Sequence, residues 1–239
     1  ISKDYEFMRP NLLGNLLDAV KQNQAVFPEM KIYELGKRYL GETIDKFTEE
    51  YWLWAAITGE KTMEAKGSVE LLLNKLGVKY VIRPATTLDN HRWFHPGRTG
   101  HIEDNKGNYL GVVGEIHPNL ATKWGIKGKL SVWAINYDLV SSLSNREIIY
   151  QPVPKYPGVY EDLTLIAPAN VLYGDVVKTI KASTKLIHTV DLLGTHEGNL
   201  TVRLTYLDLS NNLDDAIVSK LRIKVISDLK EELKVKLQE

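Results

Sequence analysis

The segment Leu200-Thr201-Val202-Arg203-Leu204-Thr205-Tyr206 alternates apolar and polar side chains more regularly than any other part of the sequence. Successive side chains of a β-strand point to opposite faces of a sheet, so this alternation predicts a strand with one buried face. The leucines and the valine are predicted to face the core. Thr201, Arg203 and Thr205 are then left on the opposite, open face of the sheet.

The sequence around this strand predicts the order strand, helix, strand, strand, helix, strand over residues 156–239. This order is the split βαβ arrangement of a ferredoxin-like fold, in which two helices cover one face of a small open sheet. The predicted elements are a strand at 161–166, a helix opened by Gly174 and Asp175, a strand at Val190 and Leu192 ended by a turn at 194–199, the strand at 200–206, a helix capped by Asn212 with Val218, Leu221, Val225, Leu229 and Leu233 as its buried stripe, and a last strand at Val235 and Leu237.

The part of the chain before residue 145 predicts a mixed α+β domain. Apolar residues recur at helical spacing in one segment, and another helix is predicted to end at a glycine that serves as its C-terminal cap. The predicted elements are a helix over Leu12 to Val20, a strand punctuated by Gly36 and Gly41, a buried segment at 51–57 with Trp52 and Trp54 in the core, a helix from Val69 to Leu76 ended by Gly77, and strands at 110–116 and 130–135.

Four segments of the last third resemble a known domain family. They are Lys155-Tyr156-Pro157-Gly158-Val159, Asp162-Leu163, Tyr173-Gly174-Asp175-Val176 and Leu213-Asp214-Asp215-Ala216-Ile217-Val218. Together they are similar to the ferredoxin-fold anticodon-binding domain that ends the β subunit of bacterial phenylalanyl-tRNA synthetases.

The upstream part of the chain resembles the same subunit, in the same order. The segments that carry the likeness are Met8-Arg9-Pro10-Asn11-Leu12-Leu13-Gly14-Asn15-Leu16-Leu17, Ile32-Tyr33-Glu34-Leu35-Gly36-Lys37, His95-Pro96-Gly97-Arg98 and Gly111-Val112-Val113-Gly114-Glu115-Ile116-His117-Pro118. Each is short, and their common order along the chain makes the resemblance specific.

This resemblance implies an α+β chain with two domains. Residues 1–147 are expected to form part of an inactive class II synthetase catalytic-like domain with an antiparallel sheet. Residues 152–239 are expected to form the ferredoxin-like βαββαβ anticodon-binding domain. The function implied is that of a subunit of phenylalanine-tRNA ligase, which attaches phenylalanine to tRNA-Phe with ATP. The family carries out this chemistry on an α subunit, in an α2β2 heterotetramer in the cytoplasm.

The residues themselves agree with the absence of an active site. A class II site uses an arginine to hold the ATP α-phosphate, in the strand that Ile32-Tyr33-Glu34 occupies here. The glycine-rich segment that ends in arginine is also missing from the sequence. ATP and magnesium are therefore expected on the full enzyme, and no cofactor is expected in this part of it.

Candidate RNA-binding residues follow from the predicted open face of the sheet. Single-stranded anticodon bases need hydrogen-bonding edges and flat platforms, and this face offers the first better than the second. Lysines 178, 181 and 185 lie on the outer side of a predicted helix, where exposure to water is a simpler explanation for them than contact with RNA phosphates. The candidates are Thr164, Asn199, Thr201, Arg203 and Thr205, joined by Lys234, Lys236 and Gln238 if Val235 and Leu237 are buried.

The sequence also departs from the family pattern where recognition is expected. The family usually has Arg-Asp at Glu161-Asp162, Phe-Asp-x-Tyr at residues 193–196 and Leu-Arg at Leu237-Gln238. Acidic and basic residues nearly balance in residues 152–239, and the whole chain has a formal net charge of zero. This balance excludes binding dominated by nonspecific phosphate attraction. A protein interaction module that keeps these folds without binding RNA therefore stays open as the alternative.

Composition and smaller motifs exclude further function classes. The chain has no cysteine, which excludes disulfides and thiol chemistry. No apolar run approaches the roughly 20 residues of a membrane helix, and the start Ile1-Ser2-Lys3-Asp4 predicts a piece of a longer chain.

Prolines are frequent in residues 145–157, which predicts a linker. Three histidines, at 91, 95 and 101, lie near Asp89, Glu103 and Asp104, but His95-Pro96 predicts a structural turn and no metal site.

Overall fold

The computed structural model describes residues 7–43, 46–85, 92–145, 150 and 153–238. Ile1-Ser2-Lys3-Asp4, Asp89, His91 and Pro152 lie outside these residues, so the predictions made on them have no structural counterpart. The chain divides into two compact units, Ile1–Ile148 and Ile149–Glu239. Within the described parts of the chain, no helix combines the length and the apolar character needed to cross a membrane.

The first unit is an antiparallel sheet with helices on both faces. Its elements are α1 Leu13–Asn23, β1 Lys31–Thr43, β2 Lys46–Thr58, α2 Thr62–Lys75, β3 Tyr80–Pro84, β4 Phe94–Asp104, β5 Tyr109–Ile116, α3 Pro118–Trp124, β6 Leu130–Asn136 and α4 Tyr137–Leu143. The six strands lie in the order β1-β2-β6-β5-β4-β3. Helices α1 and α3 contribute to the core on one face of the sheet, and α2 and α4 contribute to the core on the other.

The central strands of this sheet are buried on both faces. Every residue of β6 is buried, and Trp52 and Trp54 of β2 lie in the core as predicted. Gly111 of β5 is approached so closely that an added Cβ atom would lie 2.0 Å from the carbonyl oxygen of Ala134. The predicted helix over Leu12 to Val20 is also confirmed, because its apolar stripe is buried in the same core.

The second unit has the predicted ferredoxin-like order. Its elements are β7 Val159–Ile166, α5 Tyr173–Ser183, β8 Ile187–His196, β9 Asn199–Tyr206, α6 Asp215–Leu233 and β10 Lys236–Leu237. The four strands lie in the order β10-β7-β9-β8, with antiparallel neighbours throughout. Val202, Leu204 and Tyr206 of β9 are fully buried in a core shared with α5 and α6. The α+β fold class is therefore confirmed.

Among the predicted boundaries of this unit, the cap of α6 and the turn at residues 194–199 are wrong. Asp214, and not Asn212, caps α6, because its side chain accepts a hydrogen bond from the backbone N–H of Ile217 at 2.8 Å. Residues 194–196 belong to β8 and not to a turn, since a bulge near Gly194 lets the strand continue. The chain reverses only at Glu197 and Gly198, both of which have positive φ angles.

The first unit also contains elements that the sequence pattern did not predict. Helix α2 begins at Thr62, seven residues before the predicted start, and α3, α4, β3 and β4 were not predicted. His95-Pro96, predicted as a turn, lies within β4 at a shift in the pairing with β5. This shift makes room for a local hydrogen bond from the backbone N–H of Gly97 to His95 Nδ1 at 3.1 Å.

Candidate nucleic-acid interface

The open face of the second unit's sheet is defined by the pairing of its strands. Residues directly opposite each other in antiparallel strands project to the same face. Asp162 is opposite Arg203, and Thr164 is opposite Thr201. On the other side of β9, Thr189 is opposite Thr205 and Asp191 is opposite Arg203. We call the surface formed by these residues the open face, because α5 and α6 cover the opposite side of the sheet.

Arg203 lies at the centre of the open face and is held by Asp162. Its Nε and one terminal nitrogen donate hydrogen bonds to the two carboxylate oxygens of Asp162, at 2.7 and 2.8 Å. The hydrogen bond from Arg203 lowers the pKa of Asp162, and the same bond raises the pKa of Arg203. Asp191 adds a second negative charge on the other side of Arg203. The guanidinium therefore lies between two carboxylates.

Polar side chains continue this network across the sheet. The hydroxyl of Thr189 donates to Asp191 at 2.8 Å and lies 2.9 Å from the hydroxyl of Thr205. On the other side of Arg203, the hydroxyls of Thr164 and Thr201 are 3.4 Å apart. The open face thus presents hydroxyl, carboxylate and guanidinium groups, each able to meet the edge of a base.

The structure brings seven of the eight predicted residues to this face. Lys236 lies opposite the exposed Ile166, and the side-chain amide of Asn199 donates to Gln238 at 3.2 Å. The seven are Thr164, Asn199, Thr201, Arg203, Thr205, Lys236 and Gln238.

Lys234 is the exception among the predicted residues. It is the C-terminal cap of α6, in the left-handed conformation with a φ of 60°, and its ammonium group donates to the carbonyl oxygen of Glu231 at 3.2 Å. The last strand begins only at Lys236, because the chain must first turn to bury Val235. The placement of Lys234 on the open face is therefore wrong.

Tyr160 is an open-face residue that the sequence reasoning missed. It lies opposite Thr205, and 68% of its surface is exposed. Strand β7 begins at Val159, whereas the predicted strand began at residue 161. The signal was present in the sequence, since the alternation of Asp162 and Thr164 extends back to Tyr160. Its ring gives the open face the flat platform that the prediction lacked.

The family usually has arginine at the position of Glu161, but this position does not lie on the open face. Its carboxylate accepts hydrogen bonds from the hydroxyl of the buried Tyr206 at 3.1 Å and from Arg222 of α6 at 3.2 Å. Burial, with the nearby charge of Glu161, raises the pKa of Tyr206. Glu161 therefore faces the helices, as expected from its alternation with Asp162.

Among the residues that the structure describes, no three His, Asp or Glu side chains lie together so that they could hold a metal ion. The sequence predicts no metal site at His91, His95 and His101, and His91 lies outside the described ranges.

Comparisons with known proteins match both units. The model of the phenylalanyl tRNA synthetase beta chain CLM domain matches residues 1–137, and the model of the ferredoxin-fold anticodon binding domain matches residues 154–238. The phenylalanine-tRNA ligase beta subunit of Staphylococcus epidermidis is 29% identical and covers 96% of this chain, which spans 31% of that relative. That of Fusobacterium nucleatum is 31% identical, with 83% of this chain and 27% of the relative covered.

The chain thus spans about a third of the length of these curated relatives. Among solved structures, a pyrrolysyl tRNA synthetase from Desulfitobacterium hafniense aligns with a TM-score of 0.45 and 15% identity, over 57% of this chain and 53% of that one.

Proposed function

The chain belongs to the phenylalanyl tRNA synthetase beta chain family, and from this membership we propose that it is part of a phenylalanine-tRNA ligase. The observation that carries the proposal is that two family models match in order and together cover most of the chain. The full enzyme attaches phenylalanine to tRNA-Phe in the cytoplasm. The chemistry, with ATP and magnesium, takes place on an α subunit that pairs with this one in an α2β2 heterotetramer.

The second unit binds the anticodon region of tRNA-Phe with its open face. Support comes from the exposed ring of Tyr160, which can stack on a base, and from the row of hydroxyls on either side of Arg203. Stacking on aromatic side chains and hydrogen bonds to base edges are the usual means of recognising single-stranded RNA. The seven predicted residues on this face, with Tyr160 added, are the proposed contacts.

The charges of the open face favour recognition of bases over attraction to phosphates. Arg203 is flanked by Asp162 and Asp191, and Lys236 is the other cation that the described open face presents. Because Asp162 already neutralises Arg203, Lys236 is left to neutralise one phosphate, which corresponds to a slope of about −0.7 in a plot of log affinity against log salt concentration for a single strand. Binding is therefore weakly salt-dependent, and contacts elsewhere in the full enzyme assist it.

The first unit supports the α subunit and holds no active site of its own. Support comes from exposed apolar side chains on β1, which ends the strand order of the described sheet. Tyr33 is 77% exposed and Leu35 is 48% exposed, and their alternation places them on one face of the strand. An exposed apolar patch of this kind is typical of a surface that another protein covers.

Residues 1–147 and 152–239 are proposed to be separately folded domains joined by the proline-rich linker. Each unit has its own hydrophobic core, which supports independent folding. Light proteolysis should cut within residues 145–157 and leave a stable C-terminal piece that begins near Pro154. Uniform degradation without such a piece would argue for one continuous domain.

Filter binding of tRNA to the 239-residue chain at several salt concentrations tests the proposed function. We expect tRNA-Phe to bind more tightly than a tRNA with a different anticodon, with the shallow salt slope given above. A slope steeper than about −5 would point to nonspecific phosphate attraction. No binding to either tRNA, together with retained binding to the α subunit, would favour the alternative, a protein interaction module.

A further inference from the structure

A depression of about 330 Å³ lies beside α3 in the first unit. The backbone N–H of His117 donates to the carbonyl oxygen of Trp93 at 2.7 Å, which holds the segment before β4 against the start of α3. We call this feature the α3 depression. The described residues that line it are Arg92, His117, Asn119, Leu120 and Lys123.

The α3 depression carries positive charge that its own lining does not compensate. Arg92 and Lys123 are both exposed, and neither forms an ion pair with a residue that the structure describes. None of the described lining residues is acidic. By contrast, Arg98 and Lys129 of the same unit are paired with Glu115 and Glu60. The depression therefore attracts anions.

His117 adds a hydrogen-bond donor to these two charges. Its Nδ1 accepts a hydrogen bond from the backbone N–H of Asn119 at 3.2 Å. A neutral imidazole that accepts through one nitrogen carries its hydrogen on the other, so Nε2 is an N–H donor. This Nε2 has no partner among the described residues, and it is not one of the side-chain nitrogens there that are shut off from water. A ligand in water can therefore reach it.

The composition of the lining favours the phosphate of a polymer over a small organic molecule. Leu120 is the one apolar side chain among the described lining residues, whereas small-molecule pockets are lined mostly by apolar and aromatic side chains. Trp93, next to Arg92 in the chain, is 37% exposed. Cations that follow the backbone, with an exposed ring beside them, are typical of surfaces that bind single-stranded nucleic acid.

We propose that Arg92, Lys123 and the Nε2–H of His117 bind a backbone phosphate of RNA, as a second RNA contact located in the first unit. The proposal rests on the proposed function in that tRNA is the RNA concerned. A phosphate contact positions the RNA and carries no base information, so this site assists binding without adding to anticodon discrimination.

Filter binding of tRNA at several salt concentrations, with the double variant Arg92→Gln, Lys123→Gln of the 239-residue chain, tests the proposal. The variant should bind about threefold more weakly at low salt, as expected for an exposed charge contact, and its salt slope should be shallower by about 0.7. The loss should be equal for tRNA-Phe and for a tRNA with a different anticodon.

The double variant Lys66→Gln, Lys75→Gln is the matched control. It makes the same change of charge on α2, whose core lies on the other face of the sheet. The affinity and the slope should both stay at the values of the unmodified chain. An equal loss in the two double variants would overturn the proposal, because it would show a general effect of net charge.

A direct readout separates this contact from the anticodon site. The Nε–H signal of Arg92, labelled with nitrogen-15, should shift on titration with a short oligouridylate, which has the RNA backbone without the anticodon. An unchanged signal at saturation would overturn the proposal, and so would an equal shift with inorganic phosphate at the same phosphate concentration. A shift with oligouridylate, but no preference for tRNA-Phe in the filter assay, would support this contact and count against the proposed anticodon recognition.

Discussion

Replacing Asp162 by asparagine should strengthen the binding of tRNA to the open face. Asparagine keeps the shape of the side chain and removes its charge. In the unmodified chain both carboxylate oxygens of Asp162 hold Arg203, and Asp191 adds a second negative charge beside it. An incoming phosphate must therefore compete with Asp162 for the guanidinium and is repelled by two carboxylates.

The size of this effect follows from the geometry. We take a phosphate on the far side of Arg203 to be roughly 7 Å from the carboxylate of Asp162 for a Coulomb estimate. Coulomb's law with the dielectric constant of water then gives a repulsion that corresponds to about a threefold loss of affinity. The D162N variant should regain this factor. Its salt slope should also become steeper by about 0.7, because Arg203 can now neutralise one phosphate.

Filter binding of tRNA-Phe over a range of salt concentrations measures both quantities. Asp175→Asn is the matched control, since it makes the same change of charge in the first turn of α5, on the helical side of the unit. This control should leave the affinity within the range of error. Weaker binding by D162N would refute the reasoning, because it would mean that the carboxylate itself contacts the RNA.

Three further outcomes are expected. Tyr160→Ala should weaken tRNA binding roughly tenfold in the same filter assay, since a stacked base contributes about 1 to 3 kcal/mol, while Tyr160→Phe should bind normally. Gly111→Ala should lower the free energy of unfolding by at least about 1 to 3 kcal/mol in urea titrations, because its Cβ would overlap a backbone carbonyl; Gly14→Ala, with open space at its Cβ position, should not. Burial raises the pKa of Glu50, but hydrogen bonds from a tryptophan and an arginine outweigh it, so the pKa lies below the ordinary 4.5. The hydrogen bonds to ionised Glu50 therefore stabilise the fold at pH values above the pKa that Glu50 has in the unfolded chain. This stabilisation is lost as the pH falls through the pKa of Glu50 in the folded chain. Glu50→Gln should accordingly flatten the acid side of a plot of urea midpoint against pH.

Features that depend on local periodicity could be predicted from the sequence. The faces of β9 follow from its alternation alone, and Thr201 and Arg203 lie on the open face as predicted. The family resemblance supplied the order of the two units, because it rests on several segments spread along the chain. It did not require any knowledge of distances between them.

Features that depend on tertiary contacts could not be predicted in this way. The pairing of Arg203 with Asp162 requires the register between two strands that are far apart in sequence. Lys234 does not lie on the open face as predicted, because the burial of Val235 fixes where α6 ends and makes Lys234 its cap. The sequence likewise predicts a core tryptophan at Trp54 without showing that its indole N–H lacks a hydrogen-bond partner among the described residues.

The two-point attachment of Arg203 to Asp162 also bears on selectivity by shape. Two parallel hydrogen bonds fix the guanidinium in one plane, so the side chain has already lost much of its rotational freedom before any RNA arrives. The edge formed by Nε and one terminal nitrogen is occupied, and the planar face of the guanidinium is left as a flat, positively charged surface. A nucleobase can stack on such a surface, whereas a tetrahedral phosphate cannot. The ion pair thus converts a general phosphate binder into a rigid surface that favours flat partners.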